Sequence, residues 1–213
     1  MKKYLMTFMA LLFPLCMSAQ LFGDLSNPQK REVEIKTDEI DAEGTRRIIC
    51  SQRVTYLKQK FIGKTEGNAV AMNLSATKRE GEQPNIYLWI NVWDFKTSLC
   101  IKENSPVLFK LGDDSILRTY VITGDEDNIG KTNFIYVNEY SRPTTMYEVY
   151  CAIKVDNEMI EAFKMGLKKI RLEVNNDIYD VNLKKDNISK FLLQEYEMIK
   201  AAFNTERSFE EGF

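Results

Sequence analysis

Apolar positions recur along most of this chain with a period of two, which predicts strands. Glu32–Lys36 alternates around Val33 and Ile35, and Arg46–Leu57 carries Ile48, Ile49, Val54 and Tyr56. In 68–77, Val70, Met72, Leu74 and Ala76 fall on one face. Ile86–Phe95 is apolar on both faces, the pattern of a central, covered strand. Further strands are predicted at Val107–Leu111, Ile116–Thr123, Phe134–Val137 and Met146–Val155. Gly112-Asp113-Asp114-Ser115 reads as a hairpin connection between two of them.

After residue 155 the period changes. Asp156 is placed to cap a helix through Glu158–Phe163 that ends near Gly166. Lys168–Val174 and Asp177–Leu183 return to strand, joined by Asn175-Asn176, a pair that tolerates positive φ. A two-residue turn there pairs Leu172 with Tyr179 and Ile170 with Val181, which agrees with the apolar faces. A second helix, capped by Asp186 or Asn187, carries Ile188, Phe191, Leu192, Tyr196, Ile199 and Phe203 at three- and four-residue spacing. The expected fold class is α+β: a mostly antiparallel sheet or sandwich with two helices near the C-terminus.

The first residues, MKKYLMTFMALLFPLCMSAQ, do not fit that body. Lys2 and Lys3 precede an apolar stretch from Leu5 to Leu15, and Ser18-Ala19 supplies small residues before Gln20. This is the three-part pattern of a secretory signal, with cleavage expected before Gln20. Leu15 is not the small residue that lipidation of Cys16 requires, and the stretch is too short for a stable membrane anchor. The expected organisation is a signal at 1–19, a flexible lead-in at 20–30, one α+β domain at 31–203 and a frayed tail at 204–213. The expected location is the periplasm, the cell surface or the medium, with no stable membrane insertion.

Charge and composition narrow the chemistry. The 213 residues hold 29 Lys and Arg against 31 Asp and Glu, a net charge of −2. Losing Lys2 and Lys3 with the signal makes it −4. A mildly acidic, mixed surface is a poor match to nucleic acid, which calls for a basic stripe. The chain has no His at all. That excludes a Ser–His–Asp triad, a Cys–His dyad and His-ligated metal, and leaves chemistry by carboxylates, Lys, Tyr or a bound oxygen-ligated metal. Cys50, Cys100 and Cys151 lie in apolar runs and read as buried thiols, with one disulfide plus a free thiol as the alternative.

Several short motifs imitate known sites. Gly124–Thr132 has the wrong glycine spacing for a phosphate loop and is flanked by strand, not helix. Asp125, Asp127 and Gly130 match three positions of a calcium loop, but Ile129 and Tyr136 stand where ligands belong. An irregular calcium site at Asp125 and Asp127 and an exposed acidic turn both remain open. No cofactor is expected. Ser75-Ala76-Thr77-Lys78 matches S-x-x-K, yet Ser75 lies on a strand and the partner motifs are missing. Asn73 and Asn187 head sequons that matter only in a eukaryotic secretory pathway. Asp114-Ser115-Ile116 resembles the O-glycosylation acceptor of Bacteroides-type bacteria, in a turn that exposes Ser115.

The stretch from Met159 to Phe203, with GLKKIRLEV, a short turn and DIYDVNLKKDNISKFLLQEYEMIKAAF, resembles the ending of uncharacterised small exported proteins of Bacteroides-type bacteria. The "SAQ" end of the signal looks like the same group. The resemblance implies export and carries no catalytic motif.

The strongest candidate for ligand contact is the strand Ile86–Phe95. Its even positions are aliphatic except Asp94, and its odd positions are Tyr87, Trp89, Asn91, Trp93 and Phe95. Trp89 and Trp93 are the only Trp in the chain. Rings four residues apart lie about 13 Å along a strand, a span that meets separate residues of one glycan. The other reading buries those rings beneath the helices or a second sheet. The expected function is a non-enzymatic exported module that binds a glycan or an envelope protein, with Trp89, Asn91 and Trp93 as candidate ligand contacts. The alternative is a carboxylate-based hydrolase of glycan or cell-wall material, whose two acids would flank the bond at about 5–9 Å.

Overall fold

Among the described residues, two antiparallel sheets and two helices share a single apolar cluster. The computed structural model describes residues 33–56, 69–94, 100–124, 131–137, 140–183, 185–186 and 188–205. The expected signal at 1–19, the expected lead-in at 20–30 and the residues after 205 lie outside that set, as do residues 125–130 with the calcium reading of Asp125 and Asp127.

The larger sheet has the order β1 (Ile35–Ile40), β2 (Arg46–Cys50), β4 (Ala69–Lys78), β5 (Asn85–Asp94), β10 (Tyr140–Val155) and β8 (Thr123–Gly124). Strand β3 (Arg53–Tyr56) also pairs with β4, and β9 (Lys131–Val137) with β10. The smaller sheet has the order β12 (Asp177–Asn182), β11 (Leu167–Val174), β6 (Pro106–Leu111), β7 (Ile116–Tyr120). Helix α1 spans Asn157–Lys164 and α2 spans Ile188–Phe203.

Local chemistry accounts for the joints. The Asp156 carboxylate caps α1 by accepting the Met159 N–H at 2.8 Å. Gly166, at φ 84, ends that turn. Asn175 and Asn176 both have positive φ (56 and 63) and fix the predicted register, Leu172 opposite Tyr179 and Ile170 opposite Val181. Asp186 accepts the Ser189 N–H at 3.0 Å and starts α2. Phe109 of β6 meets Phe163 of α1 edge to face, with ring centroids 5.6 Å apart.

Strands β9 and β10 begin earlier than expected, at Lys131 instead of Phe134 and at Tyr140 instead of Met146, and three further expectations need correction. The first strand runs from Ile35 to Ile40, later than the Glu32–Lys36 alternation implied. The run Arg46–Leu57 is not one uninterrupted strand. Its pairing with β4 slips by one residue, so Cys50, Ser51 and Gln52 face only Asn73 and Leu74. This is a β-bulge, held by Ser51 N–H on Glu34 O at 2.9 Å and Glu34 N–H on Ser51 Oγ at 3.2 Å. The run Ile116–Thr123 also breaks: at Ile122 the backbone N–H leaves the small sheet and donates to Ala152 O of the large one. The chain thereby crosses between sheets.

Candidate functional site

Strand β5 lies between β4 and β10, and its alternation divides the large sheet into two unlike faces. Ile86, Leu88, Ile90 and Val92 are buried in the core cluster, beside Leu74 and Met72 of β4 and Val149, Cys151 and Ile153 of β10. The same cluster takes in α1, α2 and the small sheet. Tyr87, Trp89 and Asn91 are not members of it. The helices and the second sheet therefore pack on the aliphatic face, and the aromatic face looks the other way.

The strand registers assemble that second face. Trp89 lies between Asn73 and Ala152, and Asn91 between Ala71 and Tyr150. Tyr87 lies between Ser75 and Lys154. Trp93 pairs through its backbone with Ala69 and Glu148, while its side chain lies outside the described set. Exposure rises across the face from β4 to β10. Ala71, Asn73 and Asn91 are buried, Trp89 and Glu148 half-buried, and Tyr150 is 36% exposed.

Hydrogen bonds fix the side chains. Trp89 Nε1 donates to Ser75 Oγ at 2.8 Å, which sets the indole in one orientation. Asn91 Nδ2 donates to Glu148 Oε1 at 2.6 Å, and the Tyr150 hydroxyl donates to the same oxygen. The carboxylate charge strengthens both bonds. Asn91 Oδ1 is buried and has no hydrogen-bond partner among the described residues. The result is a half-buried indole beside an ordered amide, carboxylate and phenol. Such a face combines a flat apolar surface with fixed donors and acceptors, the pairing that hydroxyl-rich rings require.

Sequence reasoning brought together Trp89, Asn91 and Trp93; Trp89 and Asn91 share this face, and the side chain of Trp93 lies outside the described residues. It missed Ser75, Glu148 and Tyr150. The signal for the last two was present: with Val149, Cys151, Ile153 and Val155 facing the core, alternation in β10 turns Glu148 and Tyr150 outward. Asp125 and Asp127 lie outside the described residues. Among those described, no group of three or more His, Cys, Asp or Glu is placed to hold a metal ion. The sequon residue Asn73 is 4% exposed, which closes it to glycosylation in the folded chain. Ser115 is exposed in its hairpin turn and its hydroxyl donates to Asp113 at 2.6 Å. The three Cys described are free; Cys50 and Cys151 are buried and Cys100, contrary to expectation, is half-buried. No described helix is long and apolar enough to cross a membrane.

No family model, curated protein or solved structure matches the chain.

Proposed function

We propose that this is an exported binding module whose aromatic sheet face takes a glycan. One observation carries the reading: Trp89, Asn91, Glu148 and Tyr150 form an ordered aromatic and polar face on the side of the large sheet away from the helices. Export rests on the signal-like N-terminus and on the resemblance to exported proteins of Bacteroides-type bacteria. The module would act in the periplasm, at the cell surface or in the medium, after cleavage before Gln20.

The hydrolase reading receives less support. Glu148 lies on the outward face of the large sheet, and Glu195, the fully buried carboxyl of α2, lies on its core side. With the sheet between them, this pair does not flank one glycosidic bond.

Soluble oligosaccharides of varied composition, titrated against the mature protein, test the proposal through Trp emission. At least one neutral glycan should change the emission saturably, and Trp89→Ala should remove the response. Glycans that leave the emission and the melting temperature unchanged across the whole set would refute it.

A further inference from the structure

The small sheet ends in an open edge. In the order β12-β11-β6-β7, strand β7 has β6 on one side and, among the described residues, no strand on the other. The pairing shows which backbone groups face outward. Leu111 N–H bonds Ser115 O, and Val121 N–H bonds Ser105 O, so the odd residues of β7 make the ladder to β6. Ile116, Arg118 and Tyr120 then direct their N–H and C=O groups to the free edge. Their side chains are exposed on the outer face, Ile116 at 65% and Tyr120 at 51%. An exposed edge with large apolar side chains is a template for another strand.

Charge selects among strands. Arg118 stands between Ile116 and Tyr120 and has no ion pair or hydrogen bond among the described residues. The neighbouring cations of this sheet are matched: Arg171 bonds Asp180 through two nitrogens at 2.7 and 2.9 Å, Lys169 also reaches Asp180, and Lys110 and Lys168 both reach Asp114. Among the described residues, Arg118 is the cation at this edge left to attract a partner.

A second copy is a poor occupant. Symmetric antiparallel pairing that uses all three free residues sets Ile116 against Tyr120 and Arg118 against Arg118. Sliding one way would need the Ile122 N–H, already given to Ala152 O. Sliding the other way draws Asp114 into the ladder, and Asp114 is held in the turn at φ 70.

We propose that the β7 edge binds an extended segment of another protein by strand addition. The segment carries Asp or Glu opposite Arg118, with apolar residues two positions to either side facing Ile116 and Tyr120. Its backbone completes the three free donor–acceptor sets of the edge.

Two blocked, fluorescein-labelled peptides test this against the whole mature protein. Both alternate Thr and Val, one with Glu and the other with Lys at the centre. The Glu peptide should bind about tenfold or more tightly than the Lys peptide by fluorescence polarisation. Arg118→Glu should invert that order. Tyr120→Pro removes an edge N–H that β6 does not use, so it should abolish binding and leave the circular dichroism spectrum unchanged. Equal affinity for the two peptides, binding retained by Tyr120→Pro, or no binding of either up to about 1 mM would overturn the proposal. So would a dimer in sedimentation that Tyr120→Pro dissolves, since the edge would then belong to a second copy. Glycan response at Trp89 is read separately and does not enter this outcome.

Discussion

The carboxyl of Glu195 accepts the backbone N–H of Leu74 at 2.7 Å, so a helix side chain takes the place of a missing strand partner. The cause is the bulge. Opposite Leu74 the chain runs through Cys50, Ser51 and Gln52, and the ladder loses its register there. Asn73 offsets part of the loss by donating Nδ2 to Cys50 O at 3.2 Å. Glu195 Oε2 supplies the acceptor that Leu74 needs, from a helix that packs across β4. An unpaired N–H at this depth would cost about 1–3 kcal/mol.

That arrangement makes stability depend on pH. Glu195 is 0% exposed, and burial pushes its pKa up to about 9, while the Leu74 N–H pulls the other way. Between about 4.5 and 9 the folded chain holds a proton that the unfolded chain has released. Stability therefore falls as pH rises through that window, by at most about 1.4 kcal/mol per pH unit, and levels off above it. Glu195→Gln imitates the protonated acid and keeps an acceptor for Leu74. The variant and the parent should melt alike near pH 4.5, and the variant should melt increasingly higher than the parent up to pH 9. Parallel melting curves across that range would contradict this account.

The same carboxyl bears on the thiols. Burial, and then the charge of Glu195, pushes Cys50 up to about 12; burial alone does the same for Cys151. The reactive thiolate is therefore almost absent from both at neutral pH. Cys100 is half-buried, where Asn175 N–H bonds its carbonyl. In native protein at pH 8 an aromatic disulfide reagent should modify Cys100 first, with Cys50 and Cys151 reacting only on the time scale of unfolding. Peptide mapping after partial labelling checks the order, and labelling of Cys50 as fast as Cys100 would count against it.

These relationships mark the limit of what the chain reveals before folding. Local chemistry was readable: Asp156 as a cap, the Asn175-Asn176 turn with its register, and the aliphatic and aromatic faces of β5. Each depends on neighbours within a few residues. The bulge at Ser51 was not readable, because nothing in RRIICSQRVTY marks where pairing with β4 slips. Glu195 looked like one acid among many on an amphipathic helix. Its role comes from Leu74, 121 residues away in sequence. For Glu148 and Tyr150 the alternation of β10 gave the outward direction, but only the β5–β10 register sets them beside Asn91.

Gly112 tests how closely the hairpin of the small sheet meets the end of α1. A Cβ at this position would stand 2.0 Å from the Met165 carbonyl oxygen. The Gly112 N–H also donates to Gly166 O at 2.9 Å, so the backbones are already in contact. The obstacle is backbone and does not swing aside as a side chain would. Gly112→Ala should cost about 2–4 kcal/mol, seen as a lower denaturation midpoint with an unchanged slope. A loss below about 0.5 kcal/mol would show that the two segments separate easily.

The hydrogen bond from Trp89 to Ser75 offers a way to disturb the aromatic face without removing its ring. Ser75 is 8% exposed and sits on β4, diagonal to Trp89 across the ladder. Ser75→Ala removes the acceptor and leaves the indole N–H to find water, at a cost of about 1 kcal/mol in stability. The indole keeps its packing against the sheet but loses the bond that fixes its orientation. Its emission should become easier to quench with iodide, and any glycan titration should show weaker binding with the same end point. Ser75→Thr keeps a hydroxyl on a β-branched residue suited to a strand, and should restore both readouts. A Trp→Phe change at position 93 isolates the Trp89 signal for these measurements. If Ser75→Ala weakened glycan binding and Ser75→Thr failed to recover it while the melting temperature did recover, the hydroxyl would be stabilising the strand pair and not the orientation of the ring.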